Sequence, residues 1–198
     1  MHKLMVTLLK ILIPLLIIYI CFRYHFWIGV LSVVICIAYS FYKGRGGIYA
    51  SLGNIQYAKG NVQKSMVWLN RAYHTPGCPA QYVNAYGYLL LKSGDVEQAE
   101  QIFFKLLNSN PSRAVEMSAR LNMVLVIWKK GNTTEAIEKT REIYADYKNS
   151  LVYSVLGYFL ILEGDLDKAL AFNLEAYEYN NTNHVILDNL GQTYYLSG

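Results

Sequence analysis

The hydrophobic pattern of this chain changes character near residue 43. Up to that point apolar residues are almost continuous, in two runs, Leu4–Phe22 and Phe26–Tyr42. The first carries one charge (Lys10) and one proline (Pro14), and the second carries none. Helices of 19 and 17 residues would span roughly 28 and 25 Å, close to the roughly 30 Å hydrocarbon core of a bilayer. Only Arg23-Tyr24-His25 separates the runs, so the two helices are expected to form a tight antiparallel hairpin over residues 1–43. Tyr19, Tyr24, Trp27, Tyr39 and Tyr42 stand near the run ends, where amphipathic rings favour the interface. A secretory leader would end at a small-residue cleavage site and a polar mature start. Here the first run leads into Arg-Tyr-His-Phe-Trp and a second apolar run.

From residue 48 the apolar residues fall at helical spacing, in segments divided by a Gly followed by Asn or Asp: Gly60-Asn61, Gly94-Asp95, Gly131-Asn132 and Gly164-Asp165, with a further Gly198. The intervals are 34, 37, 33 and 34 residues. Each Gly lies between two helical segments, so each marks a helix–turn–helix unit. Gly supplies the left-handed conformation that ends one helix, and Asn or Asp can cap the next. Asn132-Thr133-Thr134-Glu135 has the spacing of a capping-box variant. Residues 44–47, Gly-Arg-Gly-Gly, are expected to be a flexible basic linker.

Other columns keep register with the turn. Seven residues before it stand Gly53, Gly87, Val124, Gly157 and Gly191, and five after it Ser65, Ala99, Ala136 and Ala169. Small residues there let paired helices approach closely. Large apolar residues stand eight before the turn: Leu52, Tyr86, Met123, Leu156 and Leu190. Pro76, Pro79 and Pro111 fall in links where a helix must stop.

This set of columns resembles the tetratricopeptide-repeat (TPR) family across residues 48–198, as four repeats and one further first helix. Departures are Val83, Arg120 and Leu187 at a position that is otherwise Tyr49 and Tyr153, and Val124 in the small column. The expected fold is all-α: a two-helix transmembrane hairpin followed by an α-solenoid of stacked hairpins, each burying what its neighbours leave exposed. The resemblance implies that the first helix of each repeat lines a groove for peptides or helices of partner proteins. Ten residues before the turn, that face would hold Ala50, Asn84, Leu121, Ser154 and Asp188; six before it, Asn54, Tyr88, Leu125, Tyr158 and Gln192; three before it, Tyr57, Leu91, Trp128, Ile161 and Tyr195. The partner-binding residues expected from these columns are Asn54, Tyr57, Asn84, Tyr88, Trp128, Tyr158, Gln192 and Tyr195. The clamp with which chaperone-binding TPR domains grip a C-terminal carboxylate is not expected, because its basic positions hold Ala50, Ser118 and Asn122.

Charge separates the two halves further. Residues 1–47 hold five Lys and Arg and no Asp or Glu, whereas the rest hold 13 against 14. The pI near 8.8 therefore describes the anchor, and a nucleic-acid partner is not expected, since phosphate binding needs basic residues concentrated on the folded module. By the positive-inside rule, Lys3, Lys10, Lys43 and Arg45 place both the N-terminus and the repeats in the cytoplasm of a bacterial cell, with the hairpin in the plasma membrane. Cys21, Cys36 and Cys78 make no disulfide framework or metal-ligand spacing, and the four histidines belong to no catalytic pattern. No enzyme activity, cofactor, metal or small-molecule substrate is expected. The expected function is a membrane-anchored scaffold that recruits or assembles protein partners. Alternatives are an extracytoplasmic factor in envelope assembly or secretion, and a regulatory subunit of a membrane enzyme or transporter. The helix expected over Asn183–Leu196 would be the first of a fifth repeat, which favours a fragment of a longer repeat protein.

Overall fold

The computed structural model describes residues 2–198, apart from the side chains of His2, Lys3, Leu4, Thr7, Lys10 and Ile11. The membrane-surface roles expected of Lys3 and Lys10 thus lie outside the described residues. The described chain is helical throughout and divides into two compact units, Met1–Pro79 and Ala80–Gly198.

The first unit contains α1 (His2–Tyr24), α2 (Phe26–Ala58) and α3 (Val62–Tyr73). Between α1 and α2 the chain turns at His25, whose extended backbone places its ring Nδ1 3.3 Å from the Trp27 amide it accepts from. Pro14, Ile18 and Cys21 on α1 and Val33 and Cys36 on α2 are partly buried and Gly29 is buried, while most other described side chains of this region are exposed and apolar. One helix among the described residues, α2, is long and apolar enough to cross a membrane; the apolar stretch described in α1 is the shorter Leu12–Tyr24.

Among the described residues, then, one of the two expected spanning helices passes on length and composition. The flexible linker at 44–47 is instead helix, since α2 runs unbroken for 33 residues, about 50 Å. Of its glycines, Gly46 serves packing, while Gly44 and Gly47 face open space. A Cβ on Gly46 would stand 3.0 Å from the Cys78 nitrogen and 3.2 Å from the Pro76 oxygen, so the bare backbone admits the 75–78 loop. Cys78 is half-buried there, and burial pushes its thiol pKa up.

The second unit stacks α4 (Ala80–Ser93), α5 (Val96–Leu107), α6 (Arg113–Lys129), α7 (Thr133–Asp146), α8 (Ser150–Glu163), α9 (Leu166–Tyr179) and α10 (His184–Ser197). Gly94, Gly131 and Gly164 sit at φ of +94°, +92° and +89°, the left-handed conformation that the turns require. Asp95 and Asp165 then accept from the amides of Gln98 and Lys168, both at 3.2 Å. Asn132 makes no such side-chain bond, so the capping-box variant does not form. Ala99, Ala136 and Ala169 are fully buried. The 37-residue interval is absorbed inside a helix: α6 has 17 residues where α4, α8 and α10 have 14. Almost one turn is added at its start, and the register to Gly131 is kept.

A polar cluster closes the outer side of α7–α9. Tyr144 and Tyr153 donate to Glu175 Oε1 at 2.6 and 2.8 Å, and Lys148 donates to Tyr144 at 3.0 Å. Desolvation, reinforced by Tyr144 and Glu175, holds the Tyr153 hydroxyl well above its ordinary value near 10, while Tyr144 and Tyr153 pull Glu175 below 4.5. Above pH 10 the unfolded chain releases the Tyr153 proton that the folded chain keeps, so stability falls as pH rises, by at most about 1.4 kcal/mol per pH unit for one proton. Below 4.5 the unfolded chain takes up a proton that Glu175 resists, and stability falls again. Tyr153→Phe is expected to flatten the alkaline limb and shrink the acid one, as urea titrations across pH would measure. Unchanged limbs would contradict this role.

Candidate partner-binding groove

On the second unit, α4, α6, α8 and α10 share one face, and that face encloses a cavity of about 770 Å³. The α5, α7 and α9 helices contribute nothing to its lining. Each contributing helix uses the same stripe: Gln81, Asn84, Ala85 and Tyr88; Ser118, Leu121, Asn122 and Leu125; Leu151, Ser154, Val155 and Tyr158; Val185, Asp188 and Asn189. The i, i+3, i+4, i+7 spacing puts each set on one side of its helix, and the turn glycines align the four sets.

The lining is polar at its two ends and apolar between them. At the α4 end, Asn122 Nδ2 donates to Asn84 Oδ1 at 3.0 Å, and Asn84 Nδ2 donates to Ser118 Oγ at 2.9 Å. At the α10 end, Asn183 Oδ1 caps the helix by accepting from the Val185 and Ile186 amides, and Asn189 Nδ2 donates to the Ser154 carbonyl at 2.8 Å. Leu121, Leu125, Leu151, Val155 and Tyr158 lie between. A carboxamide has more hydrogen-bonding sites than these contacts use, so Asn84 and Asn122 retain capacity for a ligand while being held in place by each other. His184 and Asp188 are the ionisable side chains of the lining besides the tyrosines, and neither Lys nor Arg contributes. Such a surface favours apolar contact plus amide hydrogen bonds over ion pairing.

The residues expected from sequence distribute unevenly over this geometry. Asn84, Tyr88 and Tyr158 come together in the groove. Asn54 and Tyr57 are exposed on the first unit. Trp128 lies outside the lining and packs edge-on against Tyr158, with ring centroids 5.8 Å apart, and against Phe159. Gln192 is also outside the lining, and Tyr195 is 85% exposed. The column three before the turn belongs to the next helical turn, where Leu91 and Ile161 are buried. Sequence reading missed Asn122 and Asn189, nine before the turn, and Gln81, Ser118, Leu151 and Val185, thirteen before it. Stepping three residues back from Asn84, Leu121, Ser154 and Asp188 reaches the second set, and stepping one forward from Leu121 and Asp188 reaches Asn122 and Asn189.

Among the described residues no group of three or more His, Cys, Asp or Glu side chains is placed to hold a metal ion. No family model matches this sequence, and no curated protein sequence matches it. Solved structures do. MamA (residues 41 to end) from Desulfovibrio magneticus RS-1 superposes with a TM-score of 0.54 at 16% identity, over 77% of this chain and 85% of that one. TTC0263, a thermophilic TPR protein in Thermus thermophilus, gives 0.52 at 16%, over 75% and 98%. Pseudomonas aeruginosa pilF gives 0.59 at 18%, over 77% and 68%.

Proposed function

We propose that this chain, whose fold is that of the tetratricopeptide-repeat proteins, holds a segment of a partner protein in the groove of its second unit and is tethered to a bilayer by its N-terminal helices. The fold supports a role as a protein-interaction scaffold. The observation that carries the binding site is the stripe itself: four successive first helices present the same positions to one cavity, and those positions are apolar, aromatic and amide-bearing. Buried aromatic and aliphatic anchors dominate the energetics of protein interfaces. A photo-crosslinking amino acid at Ser118 should therefore form discrete adducts with a partner protein in cells, whereas one at Gln101 on α5 should not. Equal labelling from both positions would remove the groove from the proposal.

The anchor rests on α2 and on the exposed apolar side chains around it, from Leu12, Leu15 and Leu16 on α1 to Val34, Ile35 and Phe41 on α2. Such a surface is far too large to stay in water on a monomer. A chain beginning at Lys43 is expected to move from the alkali-resistant membrane pellet to the soluble fraction. Retention in the pellet would contradict the tether. The positive-inside rule favours cytoplasmic repeats, and a membrane-impermeant maleimide on intact cells tests this orientation. Cys78, half-buried with a raised thiol pKa, is a slow reporter. Exposed Lys64, replaced by Cys, is a better one: labelling before lysis would put the repeats outside.

A further inference from the structure

The first 94 residues contain no Asp or Glu, yet they hold nine of the 18 Lys and Arg. The seven ion pairs among the described residues all lie between residues 100 and 175, in the second unit. The first unit therefore has cations with no carboxylate of its own to meet. Three of them are held on aromatic rings instead. Lys43 lies 5.6 Å from the Tyr39 ring centroid and Arg45 3.7 Å from that of Tyr42. Arg71, on the last turn of α3, lies 5.3 Å from Tyr49 and 5.7 Å from Trp68. Stacking fixes a guanidinium plane; Arg45 Nη1 also donates to the Tyr42 carbonyl at 2.8 Å, and the remaining N–H groups are left for a planar or tetrahedral oxyanion.

Their level along α2 decides what they meet. The uncharged apolar run ends at Tyr42. Lys43 and Arg45 follow within roughly 5 Å of helix rise, and Tyr49, which carries Arg71, follows at roughly 10 Å. Because α2 is unbroken and the 75–78 loop packs on Gly46, the end of α3 is held at this same level. The polar headgroup layer is about 5–8 Å deep on each side. Lys43 and Arg45 therefore stand within it and Arg71 at its outer edge.

We propose that Lys43, Arg45 and Arg71 form a binding surface for the phosphate groups of anionic phospholipids, so that the first repeat sits on the headgroups it emerges from. This rests on the bilayer tether proposed above. An anionic leaflet favours each basic residue at its surface by about fivefold, and no acidic side chain within the first unit opposes the attraction.

The test uses the full chain reconstituted in phosphatidylcholine vesicles containing a trace of phosphatidylglycerol or phosphatidylcholine, spin-labelled near the acyl carbonyl. Electron spin resonance then reads the lipid immobilised by the protein. Immobilised phosphatidylglycerol should exceed phosphatidylcholine by about fivefold or more at low salt. The preference should fall toward parity in 1 M salt, where screening acts within about 3 Å. Lys43→Gln with Arg45→Gln should at least halve it, and adding Arg71→Gln should reduce it further. Arg23→Gln, at the opposite end of the helices, should leave most of it. Circular dichroism checks that each variant keeps its helix content, and Arg71→Lys, which retains the charge, should retain most of the preference. Equal immobilisation of both lipids by the wild type would overturn the lipid surface while leaving the tether standing. No immobilised lipid of either kind would overturn the tether and this surface with it.

Discussion

Gly157→Ala is expected to be the most damaging single-methyl change in the second unit, costing about 3 kcal/mol and lowering the Tm by roughly 10 °C. Gly157 lies mid-way along α8, and a Cβ there would collide with Asn173 Oδ1 and stand 3.2 Å from Asn189 Nδ2. Neither neighbour can step aside cheaply. Asn173 is fully buried on α9, where its Nδ2 donates to Thr193 Oγ1 at 3.0 Å and, more weakly, to the Gly157 carbonyl at 3.4 Å. Its Oδ1 has no hydrogen-bond partner and faces the bare α-carbon. Moving Asn173 to admit the methyl breaks the tie to α10 and leaves a buried carboxamide unsatisfied. Those two costs of about 1–3 kcal/mol each outweigh the gain of up to about 1 kcal/mol from replacing Gly in a helix.

The same column supplies the control. A Cβ on Gly191 of α10 meets nothing within 4 Å, so Gly191→Ala is expected to stabilise by about 0.5–1 kcal/mol through helix propensity alone. Adding Asn173→Ala to Gly157→Ala removes the collision, so the pair should be non-additive in a double-mutant cycle read from urea unfolding. If Gly157→Ala proves as benign as Gly191→Ala, the close approach of α8, α9 and α10 is not the reason for a glycine there.

How much of this was legible follows from what each residue had to satisfy alone. The turn glycines were readable because a left-handed backbone position excludes most side chains, and four recurred at nearly one spacing. The small column was readable for a similar reason: Ala99, Ala136 and Ala169 have one job, to be narrow. By contrast, Asn173 looks in sequence like any solvent-facing amide. Its burial arises from partners on the helices before and after its own, Gly157 on α8 and Thr193 on α10, and no local pattern encodes that. The groove was half legible. Its radial direction followed from the repeat register, but its depth depended on which helical turn the neighbouring helices cover. Hence Trp128 and Tyr195, three before the turn, fall outside the lining, and so does Gln192, although Tyr88 and Tyr158 of its own column lie within it. The 44–47 segment misled because three glycines in four residues ordinarily signal a flexible link, whereas here α2 runs straight through them, with Gly46 packed against the 75–78 loop. The absence of carboxylates before residue 95 was present in the sequence from the start. Its meaning required knowing that α3 folds back on α2.

Val155→Arg should reduce partner capture by at least about 30-fold while changing stability by less than about 1 kcal/mol. Val155 lies on α8 in the apolar middle of the groove, beside Leu125, Leu151 and Tyr158, and is only partly buried. A ligand seated on this stretch must bury the residue at that position. Arg would force it either to desolvate a guanidinium, for which Asp188 is the one carboxylate of the lining, or to lose the central contact, and loss of a hot-spot contact costs about 2 kcal/mol or more. In the free protein the long side chain can lay its methylenes along the groove and keep its charged end in water, which is why folding is spared. The measurement is the yield of the Ser118 photo-crosslink in cells carrying the substitution, beside the urea midpoint of the purified chain. Gln101, exposed on α5 and away from the lining, provides the matched charge change: Gln101→Arg should alter neither yield nor midpoint strongly. A Val155→Arg protein that folds normally and crosslinks at the wild-type level would mean that the partner, if it touches Ser118, does so from the amide-rich α4 end alone. The apolar centre would then have no part in recognition.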